Sequence, residues 1–467
     1  MGKGKNGGIG ISAKSFLTAL LVIFVLMAAV YALTFVVPAG EYARVTDETG
    51  NEVIDTDGGF SYVERGIPFW KWALSPFLVL GASGGGTIIA VIAFLLVVGG
   101  VFTGLQDCGL MKYMLSRTAK RFASVRYRLL ALVVLLFMGM GAMIGSFEEC
   151  VPLVPIVVSL AVSLGWDKLT GLGMSLLAVG CGFASGVCNP FTVGVAQQLA
   201  SLPMFSGIWL RLVSFVLIYA LLMAFLAVRA KKIEKPLDSL SVEEGFEVRK
   251  EMDRGLICFC AILGAGIALV LCSGFIAFLR DLTMIIVAVT FLAAGIAACL
   301  VSGMGIKALG KSFVKGLLGI LPAVLMILMA SSIRYTMEEA GIMDTVLHGA
   351  VGLAERLPGW TVILFVYLIV LVMNFFIPSG SAKAFMLIPL IVPMAKVFGV
   401  SPQLCVLAFA FGDGFSNVFY PTNPALLISL GLADVSYGKW FVHSVKFQAA
   451  NFVLTALLLL FGLAVGY

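Results

Sequence analysis

Four charged side chains fall where the chain is otherwise apolar: Glu148 and Glu149 in GSFEEC (145–150), Lys383 in PSGSAK (378–383) and Asp413 in FGDGFSN (411–417). A charge near the centre of a bilayer costs about 2.5–3.5 kcal/mol on insertion scales, so such residues are paired or functional. Carboxylates in that setting accept a proton, a sodium ion or an ammonium group. Ser146 and Glu149 fit a Ser-x-x-Glu capping box, which leaves Glu149 as either a helix cap or a ligand. Glu148 is the better candidate for a ligand or proton acceptor. Lys383 can pair with a carboxylate of the protein or of a solute, and Asp413 is a candidate for cation or proton coupling.

Two Asn-Pro pairs interrupt equally apolar surroundings, Asn189-Pro190 in CNPFT (188–192) and Asn423-Pro424 in TNPAL (422–426). Asparagine caps a helix by accepting a backbone N–H bond, and proline suits the first helical position, where no donor is needed. Helices are therefore expected to unwind over 185–189 and 417–423 and to restart. Irregular backbone at membrane depth is tolerated only where it is buried in protein or lines a watery cavity. A single break reads as a repaired proline kink, whereas two matching breaks opposite two polar tips read as a binding site. Each restart offers a helix N-terminus for a carboxylate, and each preceding helix end offers carbonyls for a sodium ion. The candidate substrate- or ion-binding set is Ser146, Glu148, Glu149, Ser185, Asn189, Thr192, Ser379, Ser381, Lys383, Asp413, Asn417, Thr422 and Asn423. No catalytic residue is expected, and no metal beyond sodium at the breaks.

The elements that must position these residues are membrane helices. Hydrophobic residues make up 61% of the 467 and charged ones 12%, with a mean hydropathy of +1.08; soluble proteins carry about 25% charged residues. The apolar runs are long enough for helices, which need roughly 20 residues to cross a bilayer, and lack the alternation of a barrel. The first run, 16–37, is too long for a signal-peptide core of about 7–15 residues. Nine cysteines scattered through apolar stretches suggest no disulfides. Two distant histidines without Cys-x-x-Cys partners suggest no zinc, haem or other cofactor. No basic run with interleaved aromatics points to nucleic acid.

Loop charge sets the expected orientation, because lysine and arginine mark the cytoplasmic side. The segment 38–66 is acidic (Glu41, Asp47, Glu48, Glu52, Asp55, Asp57 and Glu64), whereas the segment after the span at 84–105 is basic (Lys112, Arg117, Lys120, Arg121, Arg126 and Arg128). The N-terminus is thus expected inside the cell. Six tryptophans, at positions 70, 72, 166, 209, 360 and 440, stand near the ends of apolar segments and are expected at the headgroup region.

Sliding the chain along itself aligns Pro155 with Pro389, Gly165 with Gly399, Gly180 with Gly414, Asn189 with Asn423 and Pro190 with Pro424, always 234 residues apart. CGLM (108–111) meets AGIM (340–343) after a two-residue slip. Matched Gly, Pro and Asn are the punctuation of a duplicated fold. Counting spans and loop charges makes the halves inverted. The expected architecture is an all-α polytopic membrane protein of two inverted repeats, with about nine transmembrane helices and two re-entrant hairpins. The first repeat, 1–230, holds a hairpin at 128–165 and a broken helix at 166–200. A cytoplasmic linker and connecting helix fill 231–280. The second repeat, 281–467, holds a hairpin at 360–398, a span at 313–332 and a broken helix at 401–434. Such a layout suits a secondary transporter with its site near the midplane.

In GSFEECVPLVPIVVSLAVSLGWD, NPFTVGVAQQLASLPMFSGI and PSGSAKAFMLIPLIVPMAKVFGVSPQL the chain resembles the YfcC family, grouped with the four-carbon dicarboxylate anaerobic carriers in a superfamily of elevator-type carriers. The resemblance implies a bacterial inner-membrane, multi-pass secondary transporter for carboxylates or amino acids, some relatives exchanging arginine for ornithine. It also admits a homodimer, as in related elevator carriers. The sodium-coupled dicarboxylate branch carries Ser-Asn-Thr at its tips and breaks. Here Ser146 and Ser381 are followed by Phe147-Glu148 and Ala382-Lys383, and the breaks keep only Asn189 and Asn423.

Acidic groups at the tip suit a solute with an ammonium group, which favours an amino acid, coupled to sodium or protons or moved by exchange; a four-carbon dicarboxylate is the alternative. In the expected mechanism the hairpins and the distal halves of the broken helices move against the remaining helices. The amphipathic stretches 110–122 and 342–357 serve as connecting arms. An ion channel and a membrane-embedded enzyme are the rivals from other classes. Adjacent Glu148 and Glu149 diverge by about 100° on a helix, a poor acid–base pair.

Overall fold

The computed structural model describes residues 13–46, 52–55, 59–82, 85–114, 117, 123–143, 145, 147–235, 249–273, 283–354 and 357–467. Ser146, the side chains of Glu148 and Glu149, most of the arm at 110–122 and linker residues 236–248 lie outside that set. The chain opens with α1 (Ala13–Leu33) and α2 (Gly85–Asp107), followed by α3 (Arg126–Met143) and α4 (Val154–Ser163). Next come α5 (Lys168–Ser185), α6 (Val195–Leu199) and α7 (Ile208–Ile233). The rest is α8 (Lys250–Ser273), α9 (Thr283–Val301), α10 (Ile306–Glu339), α11 (Met343–Ala354), α12 (Gly359–Phe376), α13 (Gly380–Val397), α14 (Pro402–Asn417), α15 (Pro424–Leu432) and α16 (Tyr437–Ala464). Among the described residues eight helices are long and apolar enough to cross a membrane. Three of them, α3, α12 and α13, are arms of the expected hairpins.

The acidic segment departs from an all-α fold. Strands β1 (Gly40–Tyr42) and β4 (Phe60–Tyr62) pair antiparallel, as do β2 (Arg44–Thr46) and β3 (Glu52–Ile54) nested inside them. Arg44 reaches Asp344 of α11 at 2.8 Å, the Tyr42 amide donates to the same carboxylate at 3.1 Å, and the Phe60 ring stacks on His348. Charge density in this segment hid strands only three residues long. The expected span at 313–332 is part of α10, whose 34 residues reach about 51 Å, well beyond a hydrocarbon core of about 30 Å.

Small residues decide which helices meet. A Cβ on Gly316 of α10 would lie 2.1 Å from the Gly99 carbonyl oxygen of α2, and one on Gly182 of α5 would lie 1.9 Å from that of Met138 in α3. Bare glycines of this kind let backbones touch, as membrane helices require when lipid supplies no hydrophobic drive. Two packing groups result. Helices α1, α2, α8, α9 and α10 form one, and α3 to α7 with α12 to α16 form the other, joined where α10 and α1 touch α15 and where α1 touches α16. The terminal helices α7 and α16 thus pack mainly with the expected hairpins and broken helices, α16 also touching α1.

Positions 234 residues apart do the same job. Gly165 and Gly399 both turn left-handed, with φ of +88° and +76°. Asp167 and Ser401 each accept the backbone N–H of the third residue onward, from Thr170 and Leu404. Gly180 packs on Val418 and Gly414 on Ala184, so the contact between α5 and α14 is reciprocal.

The tryptophans divide. Trp70, Trp209 and Trp360 are exposed, whereas Trp72, Trp166 and Trp440 are buried. Trp72 and Trp440 turn their indole N–H to the carbonyls of Met27 and Val418, a packing role rather than a headgroup one. The eight described cysteines are free thiols.

Candidate functional site

The first broken helix stops at Gly186, whose φ of +53° ends α5 in the left-handed turn that glycine adopts without strain. The freed backbone is taken up at once: the Cys188 amide donates to the Ala142 carbonyl of α3 at 3.0 Å. Asn189 Oδ1 then accepts the Thr192 amide at 3.2 Å, and a π turn from Pro190 to Gly194 leads into α6. The second helix stops at Asn417 and restarts at Pro424, where Asn423 Oδ1 accepts the Ala425 amide at 2.9 Å. Its open carbonyls are satisfied by α16. Trp440 donates to Val418 O, Gln448 to Phe415 O, and the Tyr437 hydroxyl to Phe419 O.

Both tips land on these breaks. Gly145 (φ +73°) sits against Asn189 so closely that a Cβ would fall 1.9 Å from its Oδ1. Gly380, at the start of α13, has room for no side chain either. A Cβ there would lie 2.4 Å from Thr192 Cγ2 and 2.6 Å from Asp413 Oδ2. One point therefore gathers the second tip, the first break and α14.

Around it runs a fully buried polar network. Lys383 Nζ donates to Asp413 Oδ1 at 2.7 Å, to the Ile377 carbonyl at 3.1 Å and to Asn374 Oδ1. The amide of Asn374 donates to the Asp413 carbonyl at 3.1 Å, to Ser416 Oγ at 2.6 Å and to Asn417 Oδ1 at 3.1 Å. Asn423 Nδ2 donates to the same Asn417 oxygen at 3.0 Å. Lys383 and Asp413 are each 0% exposed, so this ion pair lives wholly in protein. Three buried oxygens near the breaks find no partner among the described residues: Asp413 Oδ2, Thr192 Oγ1 and Thr422 Oγ1.

Of the expected residues, Asn189, Thr192, Lys383, Asp413, Asn417, Thr422 and Asn423 come together here. Ser185 does not contribute a free hydroxyl, since it donates back to the Cys181 carbonyl at 2.8 Å. Ser379 is exposed and Ser381 half-buried at the second tip. The expected capping box falls on Ser146 and the Glu149 side chain, outside the described residues; the turn at Glu148–Leu153 has Phe147 before it and no side-chain cap bond there. Asn374 and Ser416, the centre of the network, were not anticipated. The signal for Asn374 was a lone amide two residues before the end of an apolar arm, which carries no charge to draw attention. Arg211 of α7 is likewise fully buried, donating to the carbonyls of Phe205 at 2.9 Å and Ser206 at 2.8 Å and so holding the α6–α7 turn.

A family profile described as "DcuC: C4-dicarboxylate anaerobic carrier" matches residues 16–464. The chain belongs to the DcuC family. It is 29% identical over 412 residues to "Putative basic amino acid antiporter YfcC" of Escherichia coli, covering 82% of this chain and 79% of that one. It is 24% identical over 477 residues to an uncharacterized protein of Haemophilus influenzae, covering 91% and 92%. Among solved structures it is similar to the YdaH transporter of Alcanivorax borkumensis, with a TM-score of 0.44, 18% identity and coverage of 97% and 99%. It is also similar to MtrF of Neisseria gonorrhoeae, with a TM-score of 0.45, 16% identity and coverage of 95% and 94%. This is a multi-pass membrane protein of a transporter family, so the tips and breaks are where a DcuC-family solute site is sought.

Proposed function

We propose that the protein is a secondary active transporter of a small carboxylate-bearing solute that also carries a cationic group, an amino acid, bound where the second tip meets the first break and α14. The observation that carries this reading is two unpartnered buried oxygens, Asp413 Oδ2 and Thr192 Oγ1, on residues that both pack against Gly380, the first through Oδ2 and the second through Cγ2. Buried polar oxygens without partners are costly unless a ligand completes them. The carboxylate oxygen only accepts and the threonine hydroxyl can accept beside it, so the group that completes both is an ammonium, a guanidinium or another proton donor. The solute carboxylate would take the N-terminus of α13, where the helix dipole favours an anion. Lys383 has spent its three donors on the protein and leaves none for a second carboxylate. That count disfavours a four-carbon dicarboxylate, the reading the family description favours.

In this reading the halves are inverted repeats. α3 with α4, and α12 with α13, are re-entrant hairpins entering from opposite sides, and the N-terminus is in the cytoplasm of a bacterial inner membrane. The group built from α3 to α7 and α12 to α16 moves as one body against α1, α2 and α8 to α10, an elevator-like alternating access. Glu148 and Glu149 at the first tip would add proton or ammonium acceptors, and exchange or an ion gradient would drive the cycle. A homodimer would hold the static group in place.

Purified protein in vesicles preloaded with arginine, ornithine, a neutral amino acid or a four-carbon dicarboxylate tests this by counterflow of the labelled solute. Amino-acid counterflow that falls tenfold or more in Thr192→Val supports the reading. Dicarboxylate counterflow indifferent to that change replaces it with the dicarboxylate reading, and a non-saturable ion leak would favour a channel.

A further inference from the structure

The surroundings of Lys383 have the chemistry of a cation cage. Its ammonium group has three donors and meets three oxygens of three kinds: the Asp413 carboxylate at 2.7 Å, the Ile377 main-chain carbonyl at 3.1 Å and the Asn374 side-chain amide. Ile377 is the C-cap of α12, so its carbonyl stands at the negative end of that helix. A carboxylate, a helix-end carbonyl and an amide oxygen form the hard oxygen set that binds small inorganic cations. Asn374 keeps its oxygen turned into the cage because its amide is held by the Asp413 carbonyl, Ser416 and Asn417. The cage lies in a fully buried site, where a stranded carboxylate would demand a counter-cation.

We propose that Lys383 is a tethered cation standing where a sodium ion would otherwise bind, so that this half of the protein neutralises Asp413 without sodium. A tethered ammonium does not dissociate, and a sodium gradient therefore does no work at this site; whatever drives the cycle enters elsewhere or through exchange. The inference rests on the transport reading only for the last clause. Cation occupancy itself is a property of the folded protein.

The test is thermal unfolding of the purified full-length protein in detergent, in sodium, potassium and choline chloride of equal ionic strength. The wild type is expected to unfold at one temperature in all three. Lys383→Ala empties the cage and should become sodium-responsive, its midpoint rising saturably by about 3 °C or more over choline. Lys383→Ala with Asp413→Asn removes the anionic ligand and should lose that response. Lys383→Ser, which adds an oxygen to the emptied cage, is the second variant. A folded Lys383→Ala without a sodium response overturns the inference, as does failure of both single variants to fold in sodium as well as in choline. Because no transported solute enters this assay, a gained sodium response without counterflow would sink the transport reading and leave the tethered cation standing.

Discussion

Removing one member of the Lys383–Asp413 pair should damage the protein far more than removing both. Lys383→Met strands a carboxylate whose Oδ1 loses the lysine and whose Oδ2 has no partner. Breaking a buried pair in this way costs about 3–5 kcal/mol. Asp413→Asn is milder, because the lysine keeps the Ile377 carbonyl and Asn374 Oδ1 and gains a neutral amide oxygen; a loss of about 2–3 kcal/mol is expected for a charged group deprived of its counter-ion but still hydrogen-bonded. The double variant Lys383→Met/Asp413→Asn carries no stranded charge and should fall within about 1 kcal/mol of the wild type, since neutral replacement of buried pairs is often free of penalty. The cycle therefore predicts a coupling of about 4 kcal/mol or more, above the range of about 0.5–3 kcal/mol usual for contacting residues. Unfolding in detergent at neutral and acid pH reads it. Acid should rescue Lys383→Met by protonating the stranded carboxylate and leave Asp413→Asn unrescued. Additive losses in the double variant, or equal response of both single variants to acid, would refute the reasoning.

Gly380→Val places a side chain where a Cβ alone would lie 2.6 Å from Asp413 Oδ2, so counterflow should drop tenfold or more while size-exclusion behaviour in detergent is retained. Asn423→Ala removes the cap of α15 and should lower stability by about 0.5–2 kcal/mol, read as an unfolding midpoint. Gly182→Ala would put a Cβ 1.9 Å from the Met138 carbonyl oxygen and should destabilise by about 1–3 kcal/mol in the same measurement. Burial alone would raise the Asp167 carboxyl, but Arg229 and the hydroxyl and amide of Thr170 outweigh it and hold it below its ordinary range. A depressed carboxyl contributes stability that is complete above the unfolded value, about 3.9, and lost as the pH falls through the lower folded value. The midpoint should hold from neutrality to about pH 5 and decline below pH 4, and Arg229→Gln should flatten that decline.

What the sequence determined by itself was local. Roughly 20 predominantly apolar residues in a row make a membrane helix, and Asn-Pro restarts a helix because cap and capped amide are two or three residues apart, as Asn189 with Thr192 and Asn423 with Ala425. The punctuation 234 residues apart was legible for the same reason, each left-handed glycine and cap being set by its own turn. Only the tertiary structure decided who meets whom. Lys383 could have faced a solute or the protein; packing of α13 on α14 turned it to Asp413, thirty residues on, and brought in Asn374 from α12. The nested strands needed partners across a charged loop, and α7 and α16 joined the group of the tips and breaks through helix faces that hydropathy alone does not distinguish. Pairing between distant segments depends on shape and on glycine-lined approach, which a linear pattern of apolar residues does not encode.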